Sequence, residues 1–220
     1  MSGRSYGQYC GLARALDVVG ERWSLLIVRE LLVGPARYTH LASALPGVAS
    51  NLLADRLRGL VSAGVAERRL DPGSNSVVYA LTPWGAQLRE TVDALVRWST
   101  PLMRSGHGDD TFRGPWLATA LRALLNHRTS ATPVAVGLDT AGTVMTVQLD
   151  GTGARVVLDP DPPPSTVLRA DPQVVLALAA RAVTVDQAIA RGKLQGDPQE
   201  LAAVFGAADS ANARRPPLPT

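Results

Sequence analysis

Asn51, Asp55 and Arg58 recur at helical spacing, and with Ser50, Ala54 and Arg56 they form the polar side of a pattern whose other side is Leu53, Leu57 and Leu60. An asparagine amide can bond an adenine edge at two points, and a guanidinium can do the same for guanine or can hold a phosphate. Such a row is suited to reading a DNA major groove, with Asn51 the first candidate for base readout and Arg56 and Arg58 for guanine or phosphate. Arg37, Tyr38 and His40 stand at the start of a shorter helical segment, where outward-pointing N–H groups can hold phosphate. Arg68, Arg69, Asn75 and Ser76 belong to a strand–loop–strand segment beyond the helix and would grip the backbone. Each of these residues has a plainer reading as solvated or salt-bridged surface, and Asp55 can pair with Arg56 or Arg58 along the helix.

Other chemistries find little support. His40, His107 and His127 are scattered without carboxylates or cysteines at ligand spacing, and neither a Gly-x-Ser-x-Gly elbow nor a phosphate-cradling glycine loop occurs. Cys10 is the single cysteine, so neither an internal disulfide nor a dithiol redox pair can form. The acidic Asp159-Pro-Asp-Pro-Pro-Pro164 run reads as a rigid surface loop. The expectation is a protein that is not an enzyme and needs no cofactor or metal.

The elements that must position the polar row follow from hydrophobic spacing. Leu12, Leu16 and Val19 predict a first helix stopped by Gly20; Trp23, Leu26, Ile27, Leu31 and Leu32 predict a second, apolar nearly all round and closed by Gly34-Pro35. Thr39 can cap a short helix through Leu45, Pro46-Gly47 turns the chain, and Ala49–Ala63 carries the polar row: two helices across a tight turn. Gly64 ends that helix. Val65–Leu70 and Val77–Leu81 read as strands joined by the polar loop Asp71–Ser76, a wing. Thr82-Pro83 then starts a long helix whose seam of Trp84, Leu88, Val92, Leu95, Ser99 and Leu102 has no evident partner in so small a domain; it is assigned, with part of the first helix, to a twofold dimer interface, and Pro101 is expected to end or kink it.

Helical periodicity stops at Arg104–Asp110. Beyond it come a helix-like stretch at Pro115–Asn126, strands at Val134–Leu138, Val144–Leu149, Arg155–Leu158 and Thr166–Leu168, and a helix from Asp171-Pro172 through Ala182. The organisation read from this is α+β: 1–104 for DNA binding and dimerisation, 105–114 a linker, 115–206 a second domain, and 207–220 a disordered tail ending Arg-Arg-Pro-Pro-Leu-Pro-Thr. The 220 residues have room for two such domains, and 46% apolar with 19% charged residues argues against a disordered chain. A net charge of +3 hides an asymmetry: residues 1–105 hold 12 Arg and 8 acids, hence +4, and the remainder 10 Lys+Arg and 11 acids, hence −1. That balance permits a polyanionic partner for the first half. Without an apolar leader or membrane-length run, the expected address is cytoplasmic, away from the membrane.

Five segments together resemble the HxlR-type winged helix-turn-helix regulators: Leu-Asp-Val-Val-Gly20-Glu-Arg-Trp23, Leu-Leu-Val-Gly34-Pro-Ala-Arg37-Tyr, Leu-Pro46-Gly-Val-Ala-Ser-Asn51-Leu-Leu-Ala-Asp55-Arg-Leu-Arg58, Ala-Gly64-Val and Tyr79-Ala-Leu-Thr-Pro-Trp-Gly85. They occur in the family's order over about residues 8 to 102. The resemblance implies a homodimer on an inverted-repeat operator, usually a repressor of a neighbouring gene. It also gives Cys10 a reading as a thiol sensor, with Arg14 one turn away to lower its pKa; the plainer reading is a buried packing cysteine.

The last portion, Thr184–Ala190, Arg191-Gly-Lys-Leu-Gln-Gly-Asp197 and Pro198–Phe205, resembles the ending of the sterol carrier protein-like domain, over about residues 113 to 206. That resemblance implies a sheet covered by helices with an apolar cavity between them. Leu138, Val147, Val157, Val175, Leu178, Leu194 and Phe205 would then either line a site for a small apolar ligand or simply fill the core. The reading that results is a DNA-binding regulator in which such a ligand controls operator release, with a thiol switch at Cys10 and a lipid carrier as the alternatives.

Overall fold

The computed structural model describes residues 5–105, 108 and 110–206; His107 and the tail from 207 lie outside them. The chain divides into two compact units between Leu95 and Val96, inside a helix, whereas the sequence pattern puts the break at Arg104–Asp110.

From the amino end the order is α1 (Gly11–Val19), α2 (Ser24–Val33), α3 (Tyr38–Ala44), α4 (Ser50–Ser62), β1 (Ala66–Leu70), β2 (Val77–Leu81), α5 (Pro83–Ala86) and α6 (Leu88–Ser99), whose residues from Val96 onward, with the 3-10 turn over Thr100–Ser105 that follows, fall in the second unit. The all-round apolar α2 lies at the centre, with Ile27 and Val28 fully buried against Leu41, Leu53, Leu57 and Leu60. Each fully buried leucine contributes about 1.5–3 kcal/mol, so the three from α4 hold that helix to the core by one face. α3 begins one residue before Thr39, after Arg37, and Thr39 is a helical residue instead of its cap. β1 and β2 pair from Ala66↔Leu81 to Leu70↔Val77, and the Asp71–Ser76 loop closes with Asp71 N–H donating to the Ser76 carbonyl at 2.9 Å.

Two features were not anticipated from the sequence. Ala36 exchanges both backbone hydrogen bonds with Tyr79, at 2.9 and 2.8 Å, which fastens the entry of α3 to the wing. The helix from Thr82 is interrupted at Gln87: α5 ends there and α6 starts anew. The residues of the expected seam do not share one environment. Val92 is buried in the unit's own core and Leu88 packs against it, while Trp84 (54%), Leu95 (43%) and Leu102 (71%) remain exposed.

The second unit contains α7 (Gly114–Leu125), β3 (Val134–Thr140), β4 (Thr143–Asp150), β5 (Gly153–Leu158), β6 (Val167–Arg169), α8 (Pro172–Ala179), α9 (Val185–Ala190), β7 (Lys193–Gln195) and α10 (Pro198–Phe205). Its sheet has the order β5-β4-β3-β6-β7, antiparallel except for β3 beside β6. Thr184 and Gln187 form a reciprocal capping box on α9, and Asp197 caps α10 by accepting from the Gln199 N–H at 2.8 Å. Leu138, Val147, Val175, Leu178 and Phe205 are all buried in the core between sheet and helices; Val157 lies on the exposed side of β5 and Leu194 is half-buried. The seven do not line one cavity.

Candidate nucleic-acid interface

The burial of Leu53, Leu57 and Leu60 dictates what α4 shows to solvent: Ser50, Asn51 and Arg58 are exposed, with Asp55 half-buried at the edge. Asn51 Oδ1 accepts the Leu52 N–H at 2.9 Å, which holds the amide at the helix's first turn. Tyr38 donates its hydroxyl to the Ser50 carbonyl at 2.8 Å, so the residue expected to hold phosphate also tethers α3 to the start of α4. Asp55 accepts from Arg58 at 3.1 Å and from Arg56 at 3.0 Å, as the spacing along the helix allows. Arg58 nonetheless keeps 63% of its side chain exposed.

Arg56 differs. Its guanidinium also meets the Glu21 carboxylate at 2.9 Å and the Arg22 carbonyl at 3.4 Å, leaving the side chain 20% exposed. The structure thus makes Arg56 a strut between α4 and the turn joining α1 to α2, with its other Nη on Asp55 of the Asn51–Arg58 row. Nothing in the spacing of Gly20–Trp23 announced this, because the contact spans 35 residues of sequence. The same turn holds Trp23 in the left-handed region (φ 82°), an uncommon conformation for a residue of its size, with its ring next to Gly47 of the turn before α4.

On the wing, Arg68 stacks over the Tyr79 ring at 5.9 Å and Arg69 pairs loosely with Glu67 at 3.7 Å; both arginines face solvent. Asn75 occupies the left-handed position of the loop (φ 50°), and Ser76 bonds Ser74 at 2.7 Å. The Asp71 carboxyl is held below its ordinary pKa, first by the Ser74 hydroxyl and the Gly73 N–H, then by the positive fields of Arg37 and Arg69. Arg37 therefore stands close enough to the wing loop to act on it, and Arg37 and His40 are both exposed. The fold brings the α3 start, the first turns of α4 and the hairpin together through the Ala36–Tyr79 pairing and the Tyr38–Ser50 bond.

Cys10 is exposed in the single chain, immediately before α1. Its thiol pKa is lowered by the backbone N–H groups of Ala13 and then Leu12; the expected contribution of Arg14 is replaced by these, and Arg14 faces Asp17 at 3.7 Å instead. In the second unit an open groove of about 600 Å³ runs along Val183, Val185, Pro198, Ala202 and Phe205, with Arg181 beside it. Of the seven apolar ligand candidates, Phe205 alone reaches it. Among the described residues no cluster of His, Cys, Asp and Glu is arranged to hold a metal, and no helix is long and apolar enough to cross a membrane.

A helix-turn-helix with a paired wing defines a winged helix-turn-helix, the fold of DNA-binding transcriptional regulators. The HxlR-like helix-turn-helix family model matches residues 18–106. An uncharacterised HTH-type transcriptional regulator of Bacillus subtilis, YvaP, is 33% identical over 88 residues, which cover 40% of this chain and 82% of that protein. Rv3095 of Mycobacterium tuberculosis, also an uncharacterised HTH-type regulator, is 40% identical over 101 residues, 44% of this chain and 61% of the relative. The reduced form of the transcriptional regulator YodB from Bacillus subtilis has 28% identity and a TM-score of 0.39, covering 45% of this chain and 99% of that one. The chain belongs to the HxlR-like helix-turn-helix family. Proteins of this class bind DNA, are typically dimeric and are not enzymes.

Proposed function

We propose that the chain acts in the cytoplasm as a homodimeric repressor that lays α4 of each subunit into successive major grooves of an inverted-repeat operator. The observation that carries the reading is the division of α4: three leucines fully inward, Ser50, Asn51 and Arg58 outward, with Arg68 and Arg69 solvent-facing on the adjacent hairpin. Two-fold pairing is supported by exposed apolar side chains that a monomer leaves wet: Leu12 (69%) and Leu16 (39%) on α1, Trp84 and Leu95 beyond the wing. An inverted repeat with half-sites about 34 Å apart suits such a dimer. The second unit is the place for an effector, and its apolar groove by Phe205 supports a small apolar ligand. The test is fluorescence anisotropy with a duplex selected by the full chain from a random library. A salt slope of about −5, equivalent to roughly six phosphates, is expected, and a palindromic consensus should emerge; salt-independent binding or the absence of a consensus overturns the reading.

The lowered thiol pKa at an exposed Cys10 favours a second mode of control, release on oxidation or alkylation. Iodoacetamide should alkylate Cys10 with a pH midpoint below that of a free cysteine, and diamide, which is reduced to the hydrazine as the Cys10 thiols of two chains join in a disulfide, should weaken DNA binding by the parent chain but not by Cys10→Ser. Equal response of the two proteins to diamide assigns the thiol no part in control.

A further inference from the structure

Outside the regions discussed above, the second unit gathers three cations at one edge of its sheet. Asp139 of β3, Arg169 of β6 and Lys193 of β7 lie in register across neighbouring strands. Registered neighbours project to the same face, so Arg169 stands between a carboxylate and an ammonium. It is satisfied on one side: Asp139 Oδ2 accepts from both Nε and Nη2 of Arg169 at 2.7 Å. On the other side Arg169 directly opposes Lys193 across an antiparallel pair, an arrangement in which like charges repel. Arg191, two residues before Lys193, adds a third cation to the same cleft. Neither Arg191 nor Lys193 has a carboxylate at ion-pair distance among the described residues.

The backbone is shaped to keep these charges together. A Cβ at Gly192 would stand 2.6 Å from the Arg169 carbonyl and 3.0 Å from Ala170 Cβ, so a glycine is needed for the turn between α9 and β7 to press against β6. Opposite, the two-residue turn between β3 and β4 places both Ala141 (φ 47°) and Gly142 (φ 76°) in the left-handed region, a conformation alanine adopts reluctantly. The result is a cleft of about 450 Å³ bounded by Asp139, Ala141, Gly142, Arg169–Asp171 and Arg191–Lys193. The cleft is open to solvent, with 71% of the Arg169 side chain and both Arg191 and Lys193 exposed. Asp171, whose side chain makes no capping bond, supplies an acceptor on the same wall.

We propose that this cleft binds a compact hydroxylated anion, with its phosphate or carboxylate group between Arg191 and Lys193 and a hydroxyl donated to Asp171. The charge that the sheet edge otherwise leaves unbalanced is what the ligand neutralises, and the paired Arg169 orients the site without needing to release Asp139. The site is separate from the apolar groove by Phe205, and it does not depend on the DNA-binding reading.

Isothermal titration of the full chain with inorganic phosphate, citrate and glucose 6-phosphate, at ionic strength matched with sodium chloride, tests it; the probes separate phosphate from carboxylate. At least one is expected to bind saturably with one site per chain, and Arg191→Gln/Lys193→Gln should weaken it about tenfold or more. Arg155→Gln, which removes an exposed arginine paired with Asp150 on β5, should leave it unchanged. The double variant should melt no lower than the parent, since it removes repulsion, so loss of binding is not loss of fold. Binding equal in parent and double variant means an adventitious ion only and overturns the proposal, as does the absence of saturable binding by all three probes. A double variant that loses affinity for duplex while no probe binds the parent overturns it too, and makes the patch a DNA phosphate contact.

Discussion

Asn51→Ala is expected to weaken binding to the selected duplex roughly tenfold or more while hardly changing binding to a scrambled duplex, because a bidentate base contact is worth about 1–3 kcal/mol of discrimination. Asn51 stands exposed in the first turn of α4, the part that the proposed docking sets into the groove, and its amide is held by the Leu52 N–H. Arg58→Ala should produce a loss of the same order. Its salt bridge to Asp55 is an exposed one, worth about 0–1 kcal/mol, and is readily exchanged for a guanine or a phosphate. The two variants separate by specificity: a guanine contact shows as relaxed selectivity at one base pair, a phosphate contact as uniform weakening with a salt slope shallower by about 1. Arg56→Gln is the internal contrast, since its guanidinium is occupied by Glu21 and Asp55, and its effect on the salt slope should be negligible. Unchanged affinity of both Asn51→Ala and Arg58→Ala at fixed salt would remove this face of α4 from the interface.

Gly85→Ala is expected to destabilise the first unit by about 2–4 kcal/mol, toward or beyond the usual upper end for overpacking. The added Cβ would fall 1.9 Å from the Val65 carbonyl oxygen and 2.9 Å from its carbon, a clash of backbone with backbone that no rotamer relieves. Nor can the segment retreat easily. Thr82 N–H donates to the Val65 carbonyl at 3.1 Å, the Thr82 hydroxyl donates to the Gly64 carbonyl at 2.7 Å, and Gly85 N–H donates back to that hydroxyl at 3.0 Å. α5 and the wing's base are thus one hydrogen-bonded knot with Gly85 at its tightest approach. Urea unfolding followed by tryptophan fluorescence should show a lower midpoint with an unchanged slope. Gly59→Ala is the control: it sits in α4 with nothing within 4 Å of an added Cβ, and should stabilise by about 0.5–1 kcal/mol. A Gly85→Ala protein as stable as its parent would mean that α5 does not pack on Val65 as described.

The apolar alternations gave most of the elements directly. Leu53, Leu57 and Leu60 locate the inner face of α4, and the Thr82-Pro83 pair locates a helix start, because a cap and a first-turn proline act through bonds only a few residues long. The strands of the second unit were equally legible from short apolar runs between glycine turns. Less legible was which apolar residue faces what. Leu88 and Val92 read as a seam awaiting a partner, yet Val92 fills its own unit's core and Leu88 packs against it. Leu138, Val147, Val175 and Leu178 read equally well as cavity wall or as filling, since periodicity reports the side of an element and not the space beside it; the fold places all four in the buried core of the second unit.

What the residue order determined unaided is the local part of this protein: the spacing that makes α4 amphipathic, the turn before it, the hairpin after it, and through these the family to which it belongs. What tertiary structure alone decided are relations across long separations. Arg56 became a strut because Glu21 folds beside it, and Arg169, Arg191 and Lys193 share a cleft because β6 and β7 pair with Arg169 opposite Lys193. The physical reason is common to both: an electrostatic contact depends on distance in space, and chain separation carries no information about that distance until the core has packed.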